Sequence, residues 1–521
     1  MLRPTATLFR TFLTIVSATI VSLTVSCASP EAPVRPNILF IAVDDLRPEL
    51  GCYGADHVVS PNIDRLASEG LLFNRAYCQS AVCNPSRASL MTGMRPDTLR
   101  VWDLRSDMRT LNPNVVTLGQ HLQANGYHSV GIGKIFHNNN PDSATWSEPK
   151  MYIEGYPFDP DAVYRGQEGI RGQEEKKAEI IEAGNEARAI DQFGQWYVKA
   201  QATENVDVPD SAYFDGAQTD VAVGKLAELQ QLDQPFFFAV GYYRPHLPFN
   251  APKKYWDLYD RDRIPLPDNP DLPEAIPEMA INNLRELRGY TDFRDIQHPT
   301  DGILDEERTR LLRHGYFASV SYVDAQVGKL LQALEDLGLD DNTIVILWGD
   351  HGWKLGEHNS WCKMTNLEID ARGPLILKTP GMSAQGSQTQ GLVEFVDIYP
   401  TLCELTGVPA PDDLEGVSFL PLVEDPSRPW KTAAFTQFLR EGIWIAPDGI
   451  EYMGYSVRTD RYRYTEWVNW ETNERAATEL YDHESDPLEG RNVAGEAEHS
   501  DAQQEMAAIL KAGWRAATPQ T

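Results

Sequence analysis

The residues of this chain that could do chemistry fall in short runs. The densest is Cys83-Asn84-Pro85-Ser86-Arg87-Ala88-Ser89-Leu90-Met91-Thr92-Gly93. A proline two residues after the cysteine suits the first turn of a helix, where backbone N–H groups have no intrahelical partner. Such a helix start attracts anions. Arg87 adds a guanidinium on the first turn, in the fork geometry that grips oxyanions. Cys-x-Pro alone is commonplace, and a buried, inert Cys83 before a helix-starting proline would be ordinary structure. The coincidence with Arg87 and the Leu90-x-Thr92-Gly93 tail makes that plain reading the weaker one.

Four further runs carry polar groups: Asp44-Asp45, Lys134 with His137, His246, and Asp350-His351. Asp44, Asp45 and Asp350 are hard oxygen ligands of the kind that suit Ca²⁺ or Mg²⁺. His351 is a softer neighbour and the least natural ligand for either. Without a cation, three clustered aspartates would repel one another and raise their own pKa values. A bound cation would relieve this and polarise an oxyanion. Singly, each run has a plain explanation, since Asp-Asp often caps a helix and a lone histidine is more often structural.

What gathers these runs is their position after apolar stretches. Residues 37–43, 128–132, 235–241 and 343–348 are apolar and read as buried parallel strands. Each ends in one of the polar runs. In an open α/β sheet, ligands bind outside the carboxyl ends of the strands. The stretches between them read as helices: from Ser60-Pro61-Asn62, then residues 116–125, 219–232 and 397–405. The clearest is 305–337, where Tyr316, Val320, Val323, Val327, Leu330 and Leu334 recur at helical spacing. Residues 374–378 read as one more strand. The fold predicted is α/β, a large and mostly parallel sheet flanked by helices on both faces. Residues 138–217 read as an insertion over one edge, 257–297 as irregular surface, and 408–429 as a linker. Beyond it, two strands turning near Thr459-Asp460 and a helix over 503–514 read as a smaller C-terminal α+β subdomain. The domains expected are 35–425, catalytic, and 430–521, C-terminal.

The chain has 521 residues, with Lys+Arg 46 against Asp+Glu 76, a formal charge of −30. This argues against general binding of nucleic acid or anionic membrane. Any anion site must be a local cluster of Lys, Arg and His. Arg3 and Arg10 precede an apolar run over 11–25, then Ser26, Cys27 and Ala28, so residues 1–28 read as a secretory signal. The run is short for a permanent span. Cys27 after Leu23-Thr24-Val25-Ser26 resembles a bacterial lipoprotein box, with Thr24 as a departure, and Pro30, Pro33 and Pro36 read as a tether. The location expected is secreted, periplasmic or outer-surface, with membrane attachment only through a lipid at Cys27. Cys52, Cys78, Cys362 and Cys403 match no zinc spacing and read as buried small residues, with room for one disulfide.

The Cys83 run with its Leu-x-Thr-Gly tail resembles that of the formylglycine-dependent sulfatases, members of the alkaline-phosphatase-like superfamily. Arg35-Pro36-Asn37, Asp44-Asp45-Leu46-Arg47-Pro48, Ser60-Pro61-Asn62-Ile63-Asp64 and Gly349-Asp350-His351-Gly352 extend the resemblance. The subgroup it is most similar to is iduronate-2-sulfatase, through Gly51-Cys52-Tyr53-Gly54, Arg95-Pro96-Asp97-Thr98, Gly133-Lys134-Ile135-Phe136-His137, Pro245-His246, Trp353 with Leu355-Gly356-Glu357-His358, and Met453-Gly454-Tyr455-Ser456. The resemblance implies an alkaline-phosphatase-like sandwich. It implies hydrolysis of sulfate esters on a sulfated oligo- or polysaccharide, with a 2-O-sulfated uronic acid as the sugar the subgroup points to. Cys83 would be converted to formylglycine by a formylglycine-generating enzyme, and Asp44, Asp45, Asp350, His351 and residue 83 would hold Ca²⁺, with Mg²⁺ less suited. Arg87 and Lys134 would hold the aldehyde hydrate. His246 and Lys363 would contact the sulfate, one of them protonating the leaving oxygen. His137 would take a proton from the second hydroxyl as sulfate leaves. Trp353 and Arg244 would contact substrate, Arg244 and Lys354 meeting a uronate carboxylate or further sulfates, with a solvated surface role as the alternative for these two. Iduronate sulfatases carry a tyrosine where this chain has Met364, which puts the sugar in question. Two other readings share these residues: a phosphomonoester or phosphonate hydrolase of the same superfamily, and a non-catalytic glycan-binding protein.

Overall fold

The computed structural model describes residues 35–137, 141–151, 163–190, 198–441 and 449–519. The signal expected over 1–28 and the lipid site expected at Cys27 lie outside them. The principal elements, in chain order, are β1 (Asn37–Val43), α1 (Pro61–Glu69), β2 (Leu71–Phe73), α2 (Cys83–Thr92), α3 (Leu118–Ala124), β3 (His128–Gly133), α4 (Phe214–Leu229) and β4 (Phe236–Tyr242). Then come α5 (Glu306–Asp336), β5 (Thr343–Gly349), β6 (Leu375–Lys378), β7 (Ser387–Thr389) and α6 (Ile398–Leu405). The last are β8 (Ala434–Arg440), β9 (Tyr452–Arg458), β10 (Tyr462–Asn469), β11 (Arg475–Asp482) and α7 (Ser500–Ala512).

β1 to β7 form one seven-stranded sheet in the order β7-β2-β6-β5-β1-β4-β3. Only β6 runs against the others. β1 is buried along its whole length because alternate side chains enter two different cores. Leu39, Ile41 and Val43 pack in one core with Leu66 of α1, Leu226 of α4 and Val320 and Val327 of α5. Ile38, Phe40 and Ala42 pack in the other with Leu90 of α2, Leu122 of α3 and Leu402 of α6. A strand covered on both faces has no polar side to show, which is why the sequence there is a continuous apolar run.

β8 to β11 form a four-stranded antiparallel sheet. α7 packs on it through Met506, against Val457, Tyr464 and Leu480. The first strand of this sheet bonds back to the segment before α2: the Gln437 N–H donates to the Gln79 carbonyl at 2.8 Å. Residues from Arg35 on form one compact unit.

Two expectations fail. Residues 408–429 are not a linker, because Phe419 and Leu422 are buried in the second core. Residues 257–297 are not merely surface, because Leu284, Leu287, Tyr290 and Phe293 enter the first core at three-residue spacing. In both stretches the proline and acid content hides a thin apolar series. Among the described residues Cys52, Cys78, Cys83, Cys362 and Cys403 are free thiols, and no helix is long and apolar enough to cross a membrane.

Candidate active site

The strand register brings the polar runs together. Val43 lies opposite both Tyr242 and Gly349, and Gly133 lies opposite Gly241. The residues that follow, Asp44-Asp45, Asp350-His351, Lys134 and Tyr243-Arg244, therefore leave the sheet along one edge. Gly133, at φ +73°, and Gly241 must both be glycine. A side chain on either would strike the other strand's backbone, at the Gly241 and Lys134 carbonyls respectively. That close approach seats Lys134 over the strand ends.

Asp45 itself is left-handed, φ 57°, a conformation aspartate tolerates better than most residues. The Tyr316 hydroxyl of α5 donates to the Asp45 carbonyl at 2.8 Å and accepts from the Arg47 N–H at 3.0 Å, clamping the turn.

Cys83 is the first residue of α2, 2% exposed. Its Sγ stands 3.5 Å from His351 Nε2 and 3.6 Å from Lys134 Nζ. Arg87, one turn on, is fully buried. Its Nε donates to Asp350 Oδ2 at 2.8 Å and Nη2 to Asp44 Oδ1 at 3.1 Å, while Nη1 donates to the carbonyls of Lys134 and Ile135. Lys134 donates to Asp44 Oδ2. His351 Nδ1 donates to the Gly352 carbonyl at 2.9 Å. With that proton on Nδ1, the Nε2 lone pair faces Cys83 Sγ and, at 3.5 and 3.6 Å, Asp45 Oδ1 and Asp350 Oδ1. The potential ligand atoms of Asp45, Cys83 and His351 lie within 4.8 Å of one another, as do those of Asp44, Cys83 and Asp350.

These residues fit a divalent cation. Asp44, Asp45, Asp350 and Glu286 face Arg87, Lys134 and Lys363 across buried contacts. With all four ionised, the carboxylates would exceed the three cations by one negative charge, in a place with little water to screen it. Burial pushes the Asp45 carboxyl well above the usual range, Lys363 opposes this, and Asp44 and Glu286 add to it. Burial also works on Asp44, but Lys134 and Arg87 hold its carboxyl well below that range. A divalent ion would answer the Asp45 imbalance and turn the local charge from one negative to one positive, as an anionic substrate requires.

The other wall carries Lys363 and His246. Lys363 Nζ donates to Asp45 Oδ1 at 3.0 Å and to Glu286 Oε1 at 2.9 Å. The residues on either side of it, Cys362 at φ 72° and Met364 at φ 86°, are both left-handed without being glycine. Such strain costs on the order of 1–3 kcal/mol per residue and persists only where surroundings fix it. His246 Nδ1 lies against the Leu247 carbonyl, and its Nε2 is 3.3 Å from Glu286 Oε1 and 3.8 Å from Asp45 Oδ2. A cavity of about 780 Å³ opens onto Asp44, Cys83, Lys134, His137, His246 and Lys363, with Arg244 on its wall. Among the described residues, His137 Nδ1, buried there, has no hydrogen-bond partner. Burial, reinforced by Lys134, lowers that histidine to about 3, so it is neutral at ordinary pH. Burial and the Asp44 charge push the Cys83 thiol well up, which makes the unmodified thiol a poor nucleophile.

Two of the expected substrate contacts lie buried, off the cavity lining. Trp353 is 1% exposed and does not line the cavity. It stacks on Tyr316 and lies 4.7 Å beneath the Lys363 ammonium, so it supports a site residue from below. Lys354 is completely buried and pairs with Asp370 and Thr365, which leaves it unable to reach a substrate carboxylate. The residue the sequence did not mark is Glu286. It sits on a short helical turn, Arg285–Arg288, in the acid-rich stretch. Its only signal is the pair of core residues around it, Leu284 and Leu287.

The sulfatase family model matches residues 36–408, and a model described as N-sulphoglucosamine sulphohydrolase, C-terminal, matches residues 356–515. The chain belongs to the sulfatase family and is a sulfuric ester hydrolase. It is similar to the iduronate 2-sulfatase of Mus musculus, 35% identical over 89% of this chain and 91% of that protein. Two solved structures share the fold. One, in complex with its substrate D-glucosamine-2-N,6-O-disulfate, has a TM-score of 0.69 at 23% identity, covering 92% of this chain and 97% of its own. The other, the phosphonate monoester hydrolase of Agrobacterium radiobacter, has a TM-score of 0.69 at 22% identity, covering 92% and 96%.

Proposed function

We propose that this protein removes sulfate from 2-O-sulfated uronic acid residues of sulfated oligo- or polysaccharides, using formylglycine formed from Cys83 and Ca²⁺. The observation that carries the reading is the juxtaposition around Cys83. The residue lies between Lys134 and His351 at the start of a helix, beside three buried aspartates, and faces a cavity whose far wall bears His246 and Lys363. The similarity to iduronate 2-sulfatase supports the sugar.

Once formed and bound, the hydrated aldehyde supplies an oxygen nucleophile and the cation polarises the sulfate oxygens. Asp44, Asp45, Asp350, His351 and residue 83 would hold the cation. Arg87, locked between Asp44 and Asp350, fixes those carboxylates and keeps the start of α2 against them. Lys134 sits within reach of residue 83 and stabilises negative charge there. His246 and Lys363 grip the sulfate, and one of them hands a proton to the leaving oxygen. His137, held neutral by burial, would accept a proton from residue 83 as sulfate leaves. Arg244, on the cavity wall, would face the sugar. Maturation would need a formylglycine-generating enzyme, and export would take the chain to the periplasm or outside the cell.

Hydrolysis of a 2-O-sulfated uronate disaccharide by the mature protein, set against the matched phosphate ester, tests the proposal. Faster turnover of the sulfate ester is expected, and Cys83→Ala should abolish it with an unchanged circular dichroism spectrum. Preference for the phosphate ester, or activity retained in Cys83→Ala, would contradict it.

A further inference from the structure

We infer that Glu286 is a positioning residue, a carboxylate that holds the Lys363 ammonium and the His246 ring in one fixed relation at the far wall of the cavity. The inference rests on the reading of those two groups as sulfate contacts. Glu286 stands outside the proposed cation ligands and touches none of them. Its Oε1 lies 2.9 Å from Lys363 Nζ and 3.3 Å from His246 Nε2, so a single oxygen sets the spacing of both groups.

Apart from Glu286, both groups lean toward one other carboxylate, Asp45. Lys363 is drawn to Asp45 Oδ1 and Oδ2, at 3.0 and 3.1 Å, and rests on the Trp353 ring. His246 bonds through Nδ1 to the Leu247 carbonyl, with its ring 6.4 Å from that of Trp353. Without Glu286 the nearest remaining anion for Lys363 is Asp45, and the ammonium would settle over a carboxylate the cation needs. The short turn that carries Glu286 is pinned by Leu284 and Leu287, both in the core, so the carboxylate is delivered from a fixed base.

The charge of Glu286 also fits a geometric role. By itself, an anion beside groups that grip another anion opposes binding. It is tolerated here because the Lys363 ammonium offsets it. Burial notwithstanding, Lys363 above all holds the Glu286 carboxyl ionised, down at about 2. Removing the charge should therefore disturb turnover more than affinity.

The test uses the mature, formylglycine-containing enzyme and a 2-O-sulfated uronate disaccharide. Glu286→Gln should lower kcat about 100-fold, the scale of an ångström-sized misplacement, with KM within about threefold. Glu286→Asp, which keeps the charge on a shorter arm, should recover at least about tenfold of that loss. Combined with Lys363→Met, Glu286→Gln should cost nothing further, because residues acting as one unit are not additive. A kcat within about threefold of the parent in Glu286→Gln, or losses that multiply in the double variant, would overturn the inference. A crystal structure of Glu286→Gln gives a readout free of turnover: Lys363 Nζ and the His246 ring should leave their places by about 1 Å or more. An unmoved pair overturns the positioning role whatever the activity. A parent that cleaves no sulfate ester refutes the function proposed above, and the crystallographic displacement then decides on Glu286 alone.

Discussion

Replacing Arg87 with lysine keeps the charge and removes the fork. In the parent the guanidinium serves Asp350 through Nε, Asp44 through Nη2, and the Lys134 and Ile135 carbonyls through Nη1, with no exposure to water. It also lies 5.6 Å from the Trp348 ring. An ammonium has three donors at tetrahedral angles and cannot reach two carboxylates and two carbonyls set around a planar group. At least one charge-assisted hydrogen bond is lost, at about 1.5–3 kcal/mol, with some packing against Trp348. The expected loss for Arg87→Lys is therefore about 3 kcal/mol in unfolding free energy. Arg87→Met removes the charge as well and leaves two buried carboxylates facing each other, a change that costs about 3–5 kcal/mol where a buried pair is broken. Urea unfolding followed by tryptophan fluorescence, at fixed Ca²⁺, measures both. The order parent, Arg87→Lys, Arg87→Met should emerge. A lysine variant within about 1 kcal/mol of the parent, or a methionine variant no weaker than the lysine one, would refute the assignment of Arg87 as the strut between the two aspartates.

Asp350→Asn should lose the bound cation, read as metal content after gel filtration; unchanged metal would remove Asp350 from the proposed ligands. Glu357 is held at about 2, against burial, by Arg47 and Arg313. Because its folded pKa is depressed, its stabilisation is present above the unfolded value of 4.5 and is lost as pH falls toward 2. The full effect is about 3 kcal/mol, of which about 2 kcal/mol should vanish between about pH 5 and about pH 3. Glu357→Gln should lack that part of the pH slope in urea unfolding; parallel slopes would show that the pair adds nothing. Trp353→Leu should lower turnover by loosening Lys363 without changing which sugar is preferred, and an altered sugar preference would restore Trp353 as a substrate contact.

The sheet was legible because β1, β3, β4 and β5 are covered on both faces, so each is a continuous apolar run that ends where the polar residues begin. Parallel strands in register then place those ends together, which is how Asp44, Asp45, Lys134, His246 and Asp350 could be collected on one edge from sequence alone. Lys363 came only from resemblance, since it lies in a loop whose left-handed flanks, Cys362 and Met364, are not the residues that announce such turns. Trp353 and Lys354 were misread because residue type does not report depth: an indole can be a substrate platform or a buried support, and a lysine paired with an aspartate can be fully enclosed. Glu286 was illegible for a related reason. Many acids crowd residues 257–304, and what singles one out is a tertiary contact with Lys363, 77 residues away.

The most direct measurement is the mass of the proteolytic peptide containing residue 83, taken from protein made alongside a formylglycine-generating enzyme and shown to release sulfate. The expected result is a peptide that has lost the cysteine sulfur and gained a carbonyl oxygen, in proportion to specific activity. An active preparation in which residue 83 is entirely an intact thiol would contradict the account at its centre.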